Sequence, residues 1–175
     1  MTSMPVLTTD RLILRPHRLE DFDQCCALWG DESVVRYIGG TVQDRQAVWF
    51  RMLRYAGMWS LLGYGMLVIE ERETGAFLGE AGLLNACRGL EELEGVPEVG
   101  WVLAPAAWGR GIATEAMRAV LDWADQGLGA PVLRCIIEDG NAASVGVAEK
   151  LGFSGLTQTA LNGASILVME RRAGS

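Results

Sequence analysis

Residues 98–114, Glu-Val-Gly-Trp-Val-Leu-Ala-Pro-Ala-Ala-Trp-Gly-Arg-Gly-Ile-Ala-Thr, run from a strand pattern through two closely spaced glycines straight into a helix pattern. Gly109 and Gly111 let the chain turn sharply and leave the N–H groups of Gly109, Arg110, Gly111, Ile112, Ala113 and Thr114 uncovered. With the positive end of a helix behind them, such donors suit an anion, and a pyrophosphate in particular. Arg110 adds a charge at the rim. Two other readings stand beside this one. A Gly-rich strand-to-helix turn can bind nothing at all. A dinucleotide fingerprint needs a third glycine where Thr114 stands, and a βαβ unit that the preceding antiparallel-type strands do not supply.

A second constellation follows the next strand. Asn141-Ala-Ala-Ser144 opens a helix and Glu149-Lys-Leu-Gly-Phe153 closes it. Read locally, Asn141 is an N-cap, Ser144 an ordinary N3 residue, and Glu149 with Lys150 a solvated face. Two carboxylates on strands, Glu98 and Glu80 (in Gly79-Glu-Ala-Gly82), are candidates for moving protons. Glu98 falls on the same strand face as Gly100 and Val102, and a solvated strand-edge carboxylate is its bland alternative.

The elements that must hold these residues read as follows. Residues 11–15 form a short strand closed by Pro16, and Phe22, Cys25, Cys26 and Trp29 share one helix face that Gly30 stops. Thr41 and Asp44 have capping-box spacing. The helix they predict presents Trp49, Met52, Leu53 and Ala56 and ends at Gly57, with a loop over 58–63. Apolar runs at 64–70, 76–84, 96–103 and 132–138 predict strands, the first two joined by a hairpin turn. Between the last two, Ala113, Ala116, Met117, Val120, Leu121 and Ala124 line one side of the clearest helix. A helix over 142–151 ends at Gly152, and Asn162-Gly163 predicts a final hairpin. The sum is a single α+β domain over 1–175, a central sheet with helices on its faces.

At 175 residues, half of them hydrophobic, the chain can bury one sizeable core. Its net charge of −7 opposes a phosphodiester backbone, so no nucleic-acid partner is expected. Lys150 is the only lysine, and no Gly-Lys-Ser/Thr phosphate loop occurs. Cys25, Cys26, Cys87 and Cys135 lack CxxC spacing and His17 is the only histidine, so no metal is expected and reduced core thiols fit a cytoplasmic setting. Residues 1–16 lack a secretory apolar region, and no run approaches membrane-spanning length, so no membrane partner is expected.

Taken together, Thr9-Asp-Arg-Leu-Ile-Leu-Arg-Pro16, Gly109-Arg-Gly-Ile-Ala113, Asn141-x-x-Ser144 and Glu149-Lys-Leu-Gly-Phe153 resemble the GNAT superfamily of acetyl-CoA-dependent N-acyltransferases. The match lies nearest its ribosomal-protein N-terminal acetyltransferase-like (RimJ/RimL-type) branch and spans about residues 7–170. Trp108, where Gln or Arg is frequent, and Ala113, where Gly is frequent, depart from the superfamily pattern.

The resemblance implies a mostly antiparallel sheet splayed between strands 96–103 and 132–138, with a bulge near Val99–Gly100 starting the split. It implies acetyl-CoA as co-substrate: main-chain groups of Trp101, Val102 and Leu103 on the pantetheine arm, residues 109–114 on the pyrophosphate, and Asn141 and Lys150 nearby. The reaction it implies is direct attack by an amine in a ternary complex. Glu98 is then the first candidate base and Glu80 the second, and Ser144 hydrogen-bonds or relays a proton to sulfur. Trp29, Trp49, Trp59 and Tyr37 fall where the branch shapes its acceptor pocket, though helical spacing makes Trp29 and Trp49 core residues as well. Glu91, Glu92 and Glu94 either attract a cationic amine or form a solvated loop. The amine acceptor is a protein N-terminus or a small molecule, and the reading leaves room for a homodimer. A non-catalytic acyl-CoA-binding module is the alternative to an enzyme, and a nucleotide-dependent oxidoreductase the third class.

Overall fold

A computed structural model describes residues 4–174. Strands β1 (Leu7–Thr8) and β2 (Leu12–Arg15) lead through α1 (Phe22–Trp29) and α2 (Glu32–Val35) to the long α3 (Arg45–Leu62). Then come β3 (Met66–Glu71), β4 (Phe77–Leu84), β5 (Glu98–Leu103), α4 (Ile112–Gly127), β6 (Val132–Glu138) and α5 (Ala142–Lys150). The hairpin β7 (Ser154–Leu161) and β8 (Ala164–Arg172) closes the chain. All eight strands form one sheet in the order β1-β2-β3-β4-β5-β6-β8-β7. Neighbours are antiparallel except β5 and β6, which run parallel. The fold class is α+β.

The two faces of the sheet are covered by different helices. On one, α4 lays down Ile112, Ala116, Met117, Val120 and Leu121 against Leu67, Ile69, Leu83, Val99 and Leu133. Each of these side chains larger than alanine contributes about 1.5–3 kcal/mol when fully buried. On the other, Cys25, Leu28 and Trp29 of α1 and Val48 and Met52 of α3 pack with Val102. Val99 and Val102 thus serve opposite faces of β5, as strand alternation requires. With both faces covered, β4 is buried along nearly its whole length, and even Glu80 is at 0% exposure.

Gly79 and Gly82 make that strand possible. A Cβ on Gly79 (φ 144°) would lie 2.2 Å from the Val102 carbonyl oxygen, and one on Gly82 (φ 159°) 2.4 Å from that of Gly65. At the last hairpin Asn162 (φ 51°) and Gly163 (φ 84°) take the left-handed turn that their pairing predicts.

The helical third departs from expectation in three ways. The N-cap of α3 is Asp44, accepting from the Ala47 N–H at 2.8 Å, rather than Thr41. The helix passes through Gly57 and continues over the expected loop to Gly63 (φ 75°). Its buried side is Val48, Met52, Tyr55, Met58 and Trp59, so Trp49 (37% exposed) and Leu53 (49% exposed) point outward. A glycine inside a helix costs about 0.5–1 kcal/mol. Burying Met58 and stacking Trp59 edge-on against Trp123 of α4, 5.5 Å between centroids, outweighs it.

The expected bulge at Val99–Gly100 is also absent. β4 and β5 stay in continuous register from Leu84↔Glu98 to Gly79↔Leu103, and shifts occur instead at Ile69/Glu70 and Gly155/Thr157.

Candidate active site

The sheet splits because β5 and β6 share a single ladder pair, Glu98↔Arg134. Arg134 N–H donates to the Pro97 carbonyl at 3.2 Å, and past that point the strands part. Main-chain groups alternate sides along a strand. Since Pro97 faces β6, the groups of Val99, Trp101 and Leu103 also face the gap. Those of Val102 face β4, where Val102 pairs with Glu80. The Leu103 carbonyl accepts from the Trp108 indole Nε1 at 2.9 Å. Of the three residues expected to meet the pantetheine arm, Trp101 is therefore the one whose N–H and C=O both look into the gap beyond the last β5–β6 pair.

The gap opens into a cleft of about 500 Å³. Glu98, Gly100, Trp101 and Val102 line it from β5, Glu138 from β6, Asn141 from just before α5 and Ser144 from its first turn. Trp29, Tyr37, Arg51, Arg54 and Tyr55 form the helical wall. Leu103, Lys150, Trp49, Trp59 and residues 109–114 are not part of the lining.

The glycine loop lies outside the cleft, at the exposed start of α4. Gly109 (φ 70°) and Gly111 (φ 74°) both take the left-handed conformation. A Cβ on Gly109 would meet nothing within 4 Å, and one on Gly111 only Arg11 Nη2 at 3.7 Å. Helix geometry leaves the first-turn N–H groups without intrahelical partners. The loop is pinned from outside. Arg11 donates to the Arg110 carbonyl at 3.0 Å and to Glu115 at 2.6 Å, Thr9 donates to Glu115 at 2.5 Å, and Arg110 pairs with Glu71 at 2.6 Å. Against some desolvation, the Thr9 and Arg11 bonds hold the Glu115 carboxyl below its usual range. An open shelf of N–H groups beside a sheet gap with a free edge fits an extended ligand ending in phosphates.

The candidate catalytic residues have unequal surroundings. Glu98 is 5% exposed, and Arg88 donates to both its oxygens at 2.9 and 3.0 Å. It is a paired carboxylate at the cleft wall, not a solvated edge. Ser144 lines the cleft while its N–H donates to Asn141 Oδ1 at 3.2 Å, so Asn141 is an N-cap as well as a lining residue. Lys150 is exposed at the far end of α5.

Glu80 lies behind the helical wall. It accepts from His17 Nε2 (3.0 Å), Cys25 Sγ (3.4 Å), Trp29 Nε1 (3.1 Å) and Tyr55 OH (3.4 Å). Burial alone would raise its carboxyl, but the His17 and Trp29 bonds and the field of Arg51 hold it low. The same burial and the Glu80 charge push the Tyr55 hydroxyl and the Cys25 thiol up. His17, Cys25 and Glu80 bring potential ligand atoms within 4.8 Å of one another, a cluster that spacing along the chain does not reveal. Glu94 lines a separate cavity of about 320 Å³ beneath the 84–98 loop. Glu138, Arg51 and Arg54 carry no sequence signal of a site and were missed, because only the tertiary fold assembles the cleft.

Residues 11–154 match the family model of the acetyltransferase (GNAT) domain. The chain belongs to the GNAT acetyltransferases. It falls with their RimJ/RimL-like members, and this GNAT enzyme is accordingly an acetyl-CoA-dependent N-acetyltransferase. Among curated relatives, the protein YkkB of Bacillus subtilis (strain 168) is 34% identical over 162 residues, 87% of each chain. A solved structure described as a GNAT-family acetyltransferase from Bordetella pertussis has a TM-score of 0.84 and 34% identity, covering 95% of this chain and 99% of that one. RimL, a ribosomal L7/L12 α-N-protein acetyltransferase solved with coenzyme A, shares the fold at a TM-score of 0.77 with 16% identity, covering 96% and 98%. The splayed sheet that the resemblance implies is present, and the fold is the GNAT fold. Among the described residues, no helix is long and apolar enough to cross a membrane.

Proposed function

We propose that this GNAT enzyme acetylates a primary amine, on a protein N-terminus or a small molecule, by direct attack while amine and acetyl-CoA are held together in the β5–β6 cleft. The observation that carries this reading is the single rung between β5 and β6, which leaves the Trp101 edge free beside an uncovered helix start. The donor supplies an activated acetyl group. Trp101 N–H and C=O extend the sheet onto the pantetheine arm, and the N–H groups of residues 109–114 take the pyrophosphate. Asn141 orients the first turn of α5, so that the Ser144 hydroxyl hydrogen-bonds the departing sulfur or relays a proton to it. A main-chain N–H of β5 facing the gap steadies the charge developing on the acyl oxygen.

The amine must arrive neutral, because an ammonium with a pKa near 10 has no lone pair to offer. Glu98 removes that proton through water, since both of its oxygens already accept from Arg88. No protein nucleophile takes part. The test is release of free CoA from acetyl-CoA across peptides, amino acids, polyamines and aminoglycosides. Turnover with at least one amine, rising with pH, is expected. Tight acetyl-CoA binding with no turnover on any amine contradicts the proposal.

A further inference from the structure

The helical wall of the cleft is built to hold a cation still. Arg51 stacks on Trp29 with its guanidinium carbon 3.7 Å from the ring centroid. It donates through Nε to Gln43 Oε1 at 3.0 Å and through Nη1 to Tyr55 OH at 3.2 Å. Of its five N–H donors, the remaining three have no acceptor among the described residues. Arg54, one turn on, lies over the Tyr55 ring at 5.8 Å and forms no ion pair among the described residues. Glu80 stands behind this wall with its two oxygens filled by four donors, so it props Trp29 and Tyr55 rather than capping the outward side of Arg51.

The other charges of the cleft are arranged differently. Arg88 is consumed by Glu98. Glu138 lines the same cleft from β6 and forms no ion pair among the described residues. Apolar surface from Ile38, Met66 and Leu84 lies among them. A pre-set, stacked guanidinium with three free donors matches the two oxygens of a carboxylate, whereas a polyamine would meet it with like charge. The cleft, of about 500 Å³ and shared with the pantetheine arm, can seat an acceptor of amino-acid size beside Arg51.

We infer that the acceptor is a small primary amine bearing a carboxylate, an α-amino acid with an apolar side chain, whose carboxylate is taken by Arg51 and Arg54. The inference rests on the amine acetyl transfer proposed above and names the substrate class of that same site.

The test uses the full chain loaded with CoA, so that binding is read without turnover. Calorimetry compares L-leucine with leucinamide and isoamylamine, and L-phenylalanine with phenethylamine. The dipeptide Ala-Asp-amide separates a free amino-acid carboxylate from one carried by an acidic peptide. Both free amino acids are expected to bind about 10- to 100-fold more tightly than their uncharged or decarboxylated counterparts. Arg51→Gln and the more exposed Arg54→Gln are expected to erase most of that preference, with CoA affinity unchanged in both.

Equal or tighter binding of the amines, tighter binding of Ala-Asp-amide than of the amino acids, or no measurable binding of either class overturns the inference. So does an unchanged preference in both variants. Selective amino-acid binding without CoA release from acetyl-CoA overturns the proposed reaction and leaves the carboxylate site standing.

Discussion

Arg88 and Glu98 face each other as a fork and a carboxylate, with Nε to Oε2 at 2.9 Å and Nη2 to Oε1 at 3.0 Å. The pair ties the 84–98 loop to the last residue before the sheet splits, so the proposed proton acceptor and the position of the cleft wall depend on one contact. Glu98→Gln keeps the shape and removes the charge. It is expected to lower kcat about 100-fold or more and flatten the rise of rate with pH, with Kd for acetyl-CoA unchanged. Full activity with an unaltered profile would reduce Glu98 to an anchor for the loop. Arg88→Gln leaves a nearly buried carboxylate without its partner and is expected to cost about 1–3 kcal/mol in thermal or denaturant unfolding.

The glycine shelf tests separately from the chemistry. Gly111→Val forces a β-branched residue to a φ of 74°, a strain of about 1–2 kcal/mol, and lays methyl groups beside the first-turn donors. Kd for acetyl-CoA is expected to rise about tenfold or more by calorimetry. Unchanged affinity would move the phosphate contact to another surface.

Two glycine-to-alanine changes should act in opposite directions. At Gly79 the new Cβ would lie 2.2 Å from a main-chain oxygen of β5 that cannot withdraw without breaking the ladder. Gly79→Ala is expected to destabilise the fold by about 3 kcal/mol or more. At Gly57, inside α3, nothing lies within 4 Å of the new Cβ. Gly57→Ala should add about 0.5–1 kcal/mol of stability. Chemical denaturation of both variants reads the two signs.

Acid should weaken the protein through Asp21. Burial alone would raise its carboxyl. Two bonds from Arg15, at 2.7 and 2.8 Å, and one from the Arg18 N–H at 2.7 Å hold it low instead. A carboxyl whose native pKa is depressed stabilises the fold above its unfolded value near 3.9 and loses that contribution as pH falls through the native value. Tm should therefore hold from neutrality to about pH 5 and fall below pH 4. Asp21→Asn leaves Arg15 with Glu70 as its remaining partner, so it should lower stability at pH 7 by about 1–3 kcal/mol and remove much of the acid-dependent loss.

What could be read from residue order was what local physics decides. β6 spans the residues that its apolar run predicts, the buried side of α4 is the predicted one, and Asn162-Gly163 turns as its dihedral preferences demand. The loop at Gly109–Gly111 was legible because glycine is informative where φ is positive. α3 departs from its sequence pattern at both ends. Asp44 and Thr41 are both competent caps, and the continuation past Gly57 is decided by Trp59 meeting Trp123 from a helix 64 positions further along. The split of the sheet was anticipated but not its cause, since a missing ladder leaves no mark on either strand. Arg88 with Glu98, and Glu80 with His17, Cys25, Trp29 and Tyr55, join residues that no spacing rule connects. The helical wall of the cleft was legible only as scattered aromatic residues.

The lone rung between Glu98 and Arg134 also bears on cohesion. Five strands on one side and three on the other are seamed there by a minimum of main-chain bonding, leaving α4 and the apolar layers to keep them in step. A ligand that zips along the Trp101 edge contributes the stitches that the polypeptide omits. Amide protons bordering the seam should exchange faster in the empty protein than in the filled one and slow together on filling, so ligand capture and the tightening of the sheet would be one event seen by two methods.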